Sequence, residues 1–108
     1  MTRDVGGSSP SPRAARDRLY AITRADLGAG LRAAQVGHAL IEWALAHGRP
    51  CENLVVLQVP SLSELEALSE RLEGRVIRFR EPDLDDELTA VAAGPECWRE
   101  LSSLRLMR

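Results

Sequence analysis

The residues best suited to chemistry lie between Arg24 and Ala39, in the segment RADLGAGLRAAQVGHA. An apolar stretch there passes through a glycine-bearing turn straight into a helical pattern. Such a junction leaves free backbone N–H groups and the positive end of a helix beside the turn, which suits a phosphate or a carboxylate. Gly28-Ala29-Gly30 is not G-x-G-x-x-G, no acidic residue closes the next strand and no P-loop lysine follows, so both nucleotide motifs are excluded. Arg32, Gln35, His38 and Glu42 fall on one helical face, as a cluster of donors and an imidazole or as a solvated surface. A second group of polar residues, Glu81-Pro82-Asp83-Leu84-Asp85-Asp86, has enough carboxylates to hold a divalent ion. An exposed turn explains it better, and no metal is expected.

Composition narrows the partners. The 108 residues allow one domain and leave no room for a second. A core of that size is thin, and a homodimer would help it. The apolar and charged fractions, 44% and 28%, are those of a globular protein. Net charge is −2 and all 14 basic residues are arginine, so a polyanion has to be met by a local patch. Cys51 and Cys97 have no second cysteine or histidine at ligand spacing, and His38 and His47 are the only histidines. Two reduced structural thiols, no cofactor, no membrane segment and a cytoplasmic location are the expectation.

The elements that must position these residues can be placed along the chain. Residues 1–17, rich in Gly, Ser, Pro and Arg, predict a disordered tail, and 18–108 the folded domain. Leu19–Thr23 reads as a strand and Leu31–His47 as a helix with a wide apolar face, stopped by Gly48 and Pro50. Leu54–Val59 is a β-branched run suited to a central strand. Ser61 and Glu64 form a capping box for a helix that turns Leu62, Leu65, Leu68 and Leu72 inward. Val76–Arg80 alternates as a half-exposed strand, the acidic turn follows, and Leu88–Ala93 forms another strand. Gly94 and Pro95 open a last helix with Trp98, Leu101 and Leu104. The order β-α-β-α-β-β-α predicts an α/β fold with a mixed four-stranded sheet and helices on both faces.

Arg24-x-Asp26-Leu27, the glycine-bearing stretch and Ala33-Ala34-Gln35-x-x-His38-Ala39 together resemble the type II peptidyl-tRNA hydrolases, whose signature reads R-x-D-L-x-M-x-x-G-K-x-A-A-Q-x-x-H-A. The helix SLSELEALSERL resembles that family's S-E-x-E-L helix, and Leu88–Val91 leading to Gly94-Pro95 its T-V-T-V-L-x-I-G-P strand. The resemblance spans about Leu19 to Leu104. It implies hydrolysis of the ester joining a peptide to tRNA, on a mixed four-stranded sheet flanked by helices.

By the same resemblance Gln35, His38 and Thr89 carry over, while other positions depart. The family's catalytic lysine falls on Leu31, after a shorter loop, and the segment with its catalytic aspartate is replaced by Glu81–Asp86. Glu81 is the closest match and Asp83 the alternative. Ester hydrolysis needs a group to act on water, a donor for the oxyanion and cations for phosphate. Glu81 or His38 fits the first role, Gln35 or Thr89 the second, and Arg24, Arg32, Arg78 and Arg80 the third. Leu31, at the start of a buried helix, is expected to turn inward. Three functions follow: a diverged hydrolase of low activity, a non-catalytic tRNA-binding module, or a protein-interaction domain that keeps only the fold.

Overall fold

The computed structural model describes residues 18–48 and 53–108. The predicted tail, Pro50 and Cys51 lie outside them. Strand β1 (Arg18–Arg24) leads to helix α1 (Ala29–His47), strand β2 (Asn53–Val59), helix α2 (Leu62–Arg71) and strand β3 (Val76–Glu81). A 3₁₀ turn at Pro82–Leu84 connects β3 to β4 (Glu87–Ala93), and a second 3₁₀ turn, Pro95–Cys97, runs into the short α3 (Trp98–Leu101) and strand β5 (Arg105–Leu106). The sheet is mixed, in the order β3-β4-β1-β2-β5. Among the described residues only β1 and β2 run parallel, joined through α1, while β4 lies antiparallel to both β1 and β3.

The α/β class and the helices on both faces agree with the sequence. Two details differ. The sheet has five strands rather than four, because β5 pairs antiparallel with β2 through Leu57–Leu106 and Gln58–Arg105. The last helix therefore stops at Leu101, and Leu104 belongs to the turn that sends the chain back to β2's open edge. Two residues are too short a strand to carry a period, so only the unpaired edge of β2 reveals a use for them.

Period-two alternation in the strands divides the interior in two. Tyr20, Ile22, Leu57, Val59, Leu88 and Val91 meet α2 and α3 through Leu65, Leu68 and Leu101, forming the larger core. On the other face Leu19, Ala90 and Ala92 lie under Ala39 and Trp43 of α1. Ser61 accepts a hydrogen bond from the Glu64 N–H at 3.4 Å and so caps α2. Gly48, at φ 74°, ends α1 with its N–H on the Ala44 carbonyl.

Helix α1 reverses the polarity its sequence suggests. Gln35 is buried with Val36, Ala39 and Trp43, whereas Ile41 and Leu45 are 61% and 82% exposed, and Ala33, Ala34 and Ala44 also face solvent. Leu31, expected inward, is 38% exposed. The cause is in the sheet, which offers Ala21, Thr23, Thr89, Ala90 and Ala92 at 0% exposure. Small residues let the helix come close, and threonine side chains give a buried glutamine something to bond.

Candidate functional site

The site forms where β1, β3 and β4 meet the first half of α1. Pairing between β3 and β4 slips between Phe79 and Arg80, which face Ala90 and Leu88, so Thr89 has no opposite number. This is a β-bulge, a device that re-aims a side chain. Leu88 stays with the α2-side core, while Ala90 points to α1. The extra residue turns Thr89 to α1 as well, where its Oγ1 donates to Gln35 Oε1 at 2.7 Å. The Thr89 carbonyl accepts from Thr23 Oγ1 at 2.9 Å.

With Gln35 Oε1 accepting, its amide nitrogen faces β3 and Nε2 donates to Glu81 Oε2 at 3.0 Å. The other carboxylate oxygen of Glu81 accepts the Asp83 N–H at 3.2 Å. A tight loop holds that carboxylate. Pro82 starts its 3₁₀ turn, Asp85 and Asp86 adopt φ of 53° and 60°, and the Asp86 N–H returns to the Glu81 carbonyl. Aspartate tolerates this left-handed conformation better than most residues. Three polar residues from α1, β3 and β4 thus form one chain, Thr89–Gln35–Glu81.

His38 follows Gln35 by three residues and is exposed. Its ring stacks on Phe79 at 4.9 Å between centroids and 8° between planes. It therefore borders the chain without a hydrogen bond to it. Asp83, the alternative to Glu81, contributes its backbone N–H and not its carboxylate.

The four candidate arginines do not form one patch. Arg24 is 6% exposed and bidentate on Asp26, with both nitrogen–oxygen distances 2.9 Å, and it reaches Glu87 at 2.6 Å and the Leu88 carbonyl at 3.2 Å. The Asp26 hydrogen bond raises the Arg24 pKa against the effect of burial, and the Arg24 hydrogen bond lowers that of Asp26. R-x-D is a clamp between β1 and β4, so Arg24 is in no position to receive a phosphate.

Arg78 and Arg80 lie across the sheet on the α2 face, Arg78 bonded to Ser69 and Arg80 to Glu66. Strand alternation puts them opposite Phe79 and Glu81. Arg32 alone of the four lies on α1, one turn before Gln35, and it turns toward β2. Its Nη1 donates to Gln58 Oε1 at 3.1 Å, and its buried Nε has no partner among the described residues.

Sequence reasoning missed Thr23, Phe79, Asp26 and Glu87. Thr23 had a signal, a hydroxyl ending an otherwise apolar strand. Cys97 is buried, its thiol donates to the Glu73 carbonyl, and burial pushes its pKa up to about 11, so it is a structural thiol. Among the described residues no group of His, Cys, Asp and Glu could hold a metal ion, and no helix is long and apolar enough to cross a membrane. Comparison of the sequence with protein-family models and with curated proteins finds no match.

Proposed function

We propose that the chain is a slow ester hydrolase acting on peptidyl-tRNA, with Glu81 activating water. The observation that carries this reading is the Thr89–Gln35–Glu81 chain. A carboxylate held by two donors on an ordered loop keeps lone pairs free to accept a proton from water. Gln35 fixes where that carboxylate points, and Thr89 fixes which way the Gln35 amide faces. The second N–H of the Gln35 amide and an imidazole N–H of His38 are the donors available to an oxyanion. Thr89 spends its proton on Gln35 and is therefore a positioning residue. Arg32 is the cation for a backbone phosphate.

The rate should be low. Leu31 stands at the family's lysine position, and a single oxyanion-stabilising donor is worth about 2.7–4 kcal/mol of transition-state energy. Its partial exposure means that Leu31→Lys places a charge at the surface without opening the core. The deciding experiment is release of free tRNA from peptidyl-tRNA by the purified chain at high enzyme concentration. We expect slow turnover, a loss of about tenfold or more in Glu81→Gln, and a gain in Leu31→Lys. No turnover with tRNA still bound would leave a tRNA-binding module; no tRNA binding would leave a protein-interaction domain. The occupied hydrogen bonds of Arg24, Arg78 and Arg80 favour that last reading over the tRNA-binding module.

A further inference from the structure

We propose that the outward face of the His38 ring is a stacking platform for the terminal adenine of tRNA, holding the base flat against α1 while its ribose carries the ester toward Gln35 and Glu81. This rests on the hydrolase reading and names the group of the substrate that the site grips. His38 is exposed, and its ring lies parallel to Phe79, with 4.9 Å between centroids and 8° between planes. With one face closed by Phe79, the exposure left to the ring is its opposite face and its rim.

The other histidine shows what sets this arrangement apart. His47 also sits on α1 and also meets an aromatic ring, Trp43 at 4.3 Å, but at 53° between planes and half-buried. It offers no flat open surface. Phe79 is half-buried and packs against the α1-side cluster, so the layer beneath His38 is anchored in the core. A planar side chain already stacked on an anchored ring has little freedom left to lose when a second plane is added, and that preorganisation favours binding. Stacking on aromatic rings, histidine included, is the general way in which unpaired RNA bases are held.

The surroundings select a base over a phosphate. Glu42 follows His38 by four residues and is its neighbour on the helix surface, while Glu81 and Asp83 follow Phe79 at the end of β3. Three carboxylates repel a phosphate, but they accept hydrogen bonds, and adenine presents an exocyclic amine for which the Glu42 carboxylate is a suitable acceptor. Glu81 lies two residues past Phe79 on the same face of β3, about 7 Å along the strand. One ribose bridges that span between its base and its ester. The ring face takes the base and the ring edge keeps its N–H for the oxyanion, so the two uses of His38 do not compete.

Titration of the full chain with free adenosine tests this, with the imidazole carbon protons followed by NMR. His38 and His47 are the only histidines, so two sets of signals are expected and His47 serves as the internal reference. The ring current of the base should move the His38 signals alone, upfield and saturably, and ribose should move neither. His38→Ala should weaken adenosine binding about tenfold or more, while His38→Phe, which keeps a flat ring, should retain it. Inosine, with a carbonyl in place of the amine, should bind less tightly. Circular dichroism checks that each variant is folded. The proposal is overturned if adenosine leaves the His38 signals unmoved, binds His38→Ala as tightly as wild type, fails to bind His38→Phe or binds no better than inosine. None of these readouts needs turnover: adenosine on His38 without ester hydrolysis refutes the enzyme reading alone, and hydrolysis with unmoved His38 signals refutes the platform alone.

Discussion

The two faces of the sheet are built on opposite plans. On the α2 face the contacts are large and apolar, with Leu65, Leu68, Leu88 and Leu101 at or below 1% exposure. On the α1 face the buried surface is mostly alanine and threonine, and specificity comes from hydrogen bonds that join Thr23, Thr89, Gln35 and Glu81. The first plan resists unfolding through area removed from water. The second holds polar side chains in fixed orientations, which is what chemistry needs. One face stabilises the fold, and the other is left free to carry a site.

The largest effect should come from cutting the apolar face. Leu68→Ala removes a side chain at 1% exposure from a packed core and should cost about 2–5 kcal/mol. Leu40→Ala, partly buried against the α1-side cluster, should cost about 1 kcal/mol. Urea denaturation of both variants measures the contrast; equal losses would mean that the faces share the load.

The apolar plan was legible in the sequence because its signals are local. The β-branched run of β2, the Ser61 cap and the leucine spacing of α2 each appear within a few residues. The polar plan was legible only in part. Gln35 and His38 stand out by helical spacing, but Thr89 reaches Gln35 through a bulge, and strict alternation in LTAV would give Leu88 and Ala90 the same face. Nor does a sequence reveal that Arg24 is consumed by Asp26 and Glu87, since Glu87 is 63 residues away. The outward apolar stripe of α1 misleads for a similar reason: period shows which residues share a face, and only the partner surface decides which face turns in.

Arg24 tests whether R-x-D is a clamp. Arg24→Met removes hydrogen bonds to two carboxylates and a carbonyl and should cost about 3 kcal/mol, the lower end for a buried ion pair, because Asp26 and Glu87 are 43% and 40% exposed and can rehydrate. Arg80→Met, bonded to Glu66 across an exposed surface where solvent screens the pair, should lower stability far less than Arg24→Met. A retained melting temperature in Arg24→Met would return Arg24 to the group of residues free to bind a ligand.

The polar chain itself comes next. Gln35→Leu leaves Glu81 without its side-chain donor, and the Thr89 hydroxyl with only the Phe79 carbonyl at 3.4 Å. The expected cost is about 1–2 kcal/mol. Adding Thr89→Val should recover part of it, since two apolar partners leave nothing unsatisfied. A double variant less stable than the sum of the singles would show that packing, not hydrogen bonding, governs this face.

The smallest effect concerns the contact that connects the two faces. Arg75 lies 5.2 Å over the Trp43 ring of α1 and holds Glu96, beside α3, through its backbone N–H at 2.7 Å, Nε at 3.1 Å and Nη2 at 3.0 Å. Burial pushes the Glu96 carboxyl up, but the Arg75 side-chain and backbone hydrogen bonds outweigh it and bring the pKa down to about 2. A carboxyl depressed in the folded state stabilises it above the unfolded value, about 4.3, and loses that contribution as pH falls toward 2. Because Glu96 is exposed, the contribution should be about 1 kcal/mol after solvent screening. Wild-type stability should thus fall between about pH 5 and pH 2, and Glu96→Gln should flatten the curve there, leaving the smaller decline owed to Asp26. The glycines around Glu96 offer an independent check. A Cβ on Gly74, at φ 111°, would lie 2.6 Å from Glu96 Cγ, and one on Gly94 would lie 2.4 Å from Oε1. Gly94→Ala should therefore displace the carboxylate and reproduce the flattened acid limb with Glu96 still present. An unchanged acid limb in both variants would place the acid sensitivity elsewhere and leave the Arg75–Glu96 contact without a share in holding the two faces together.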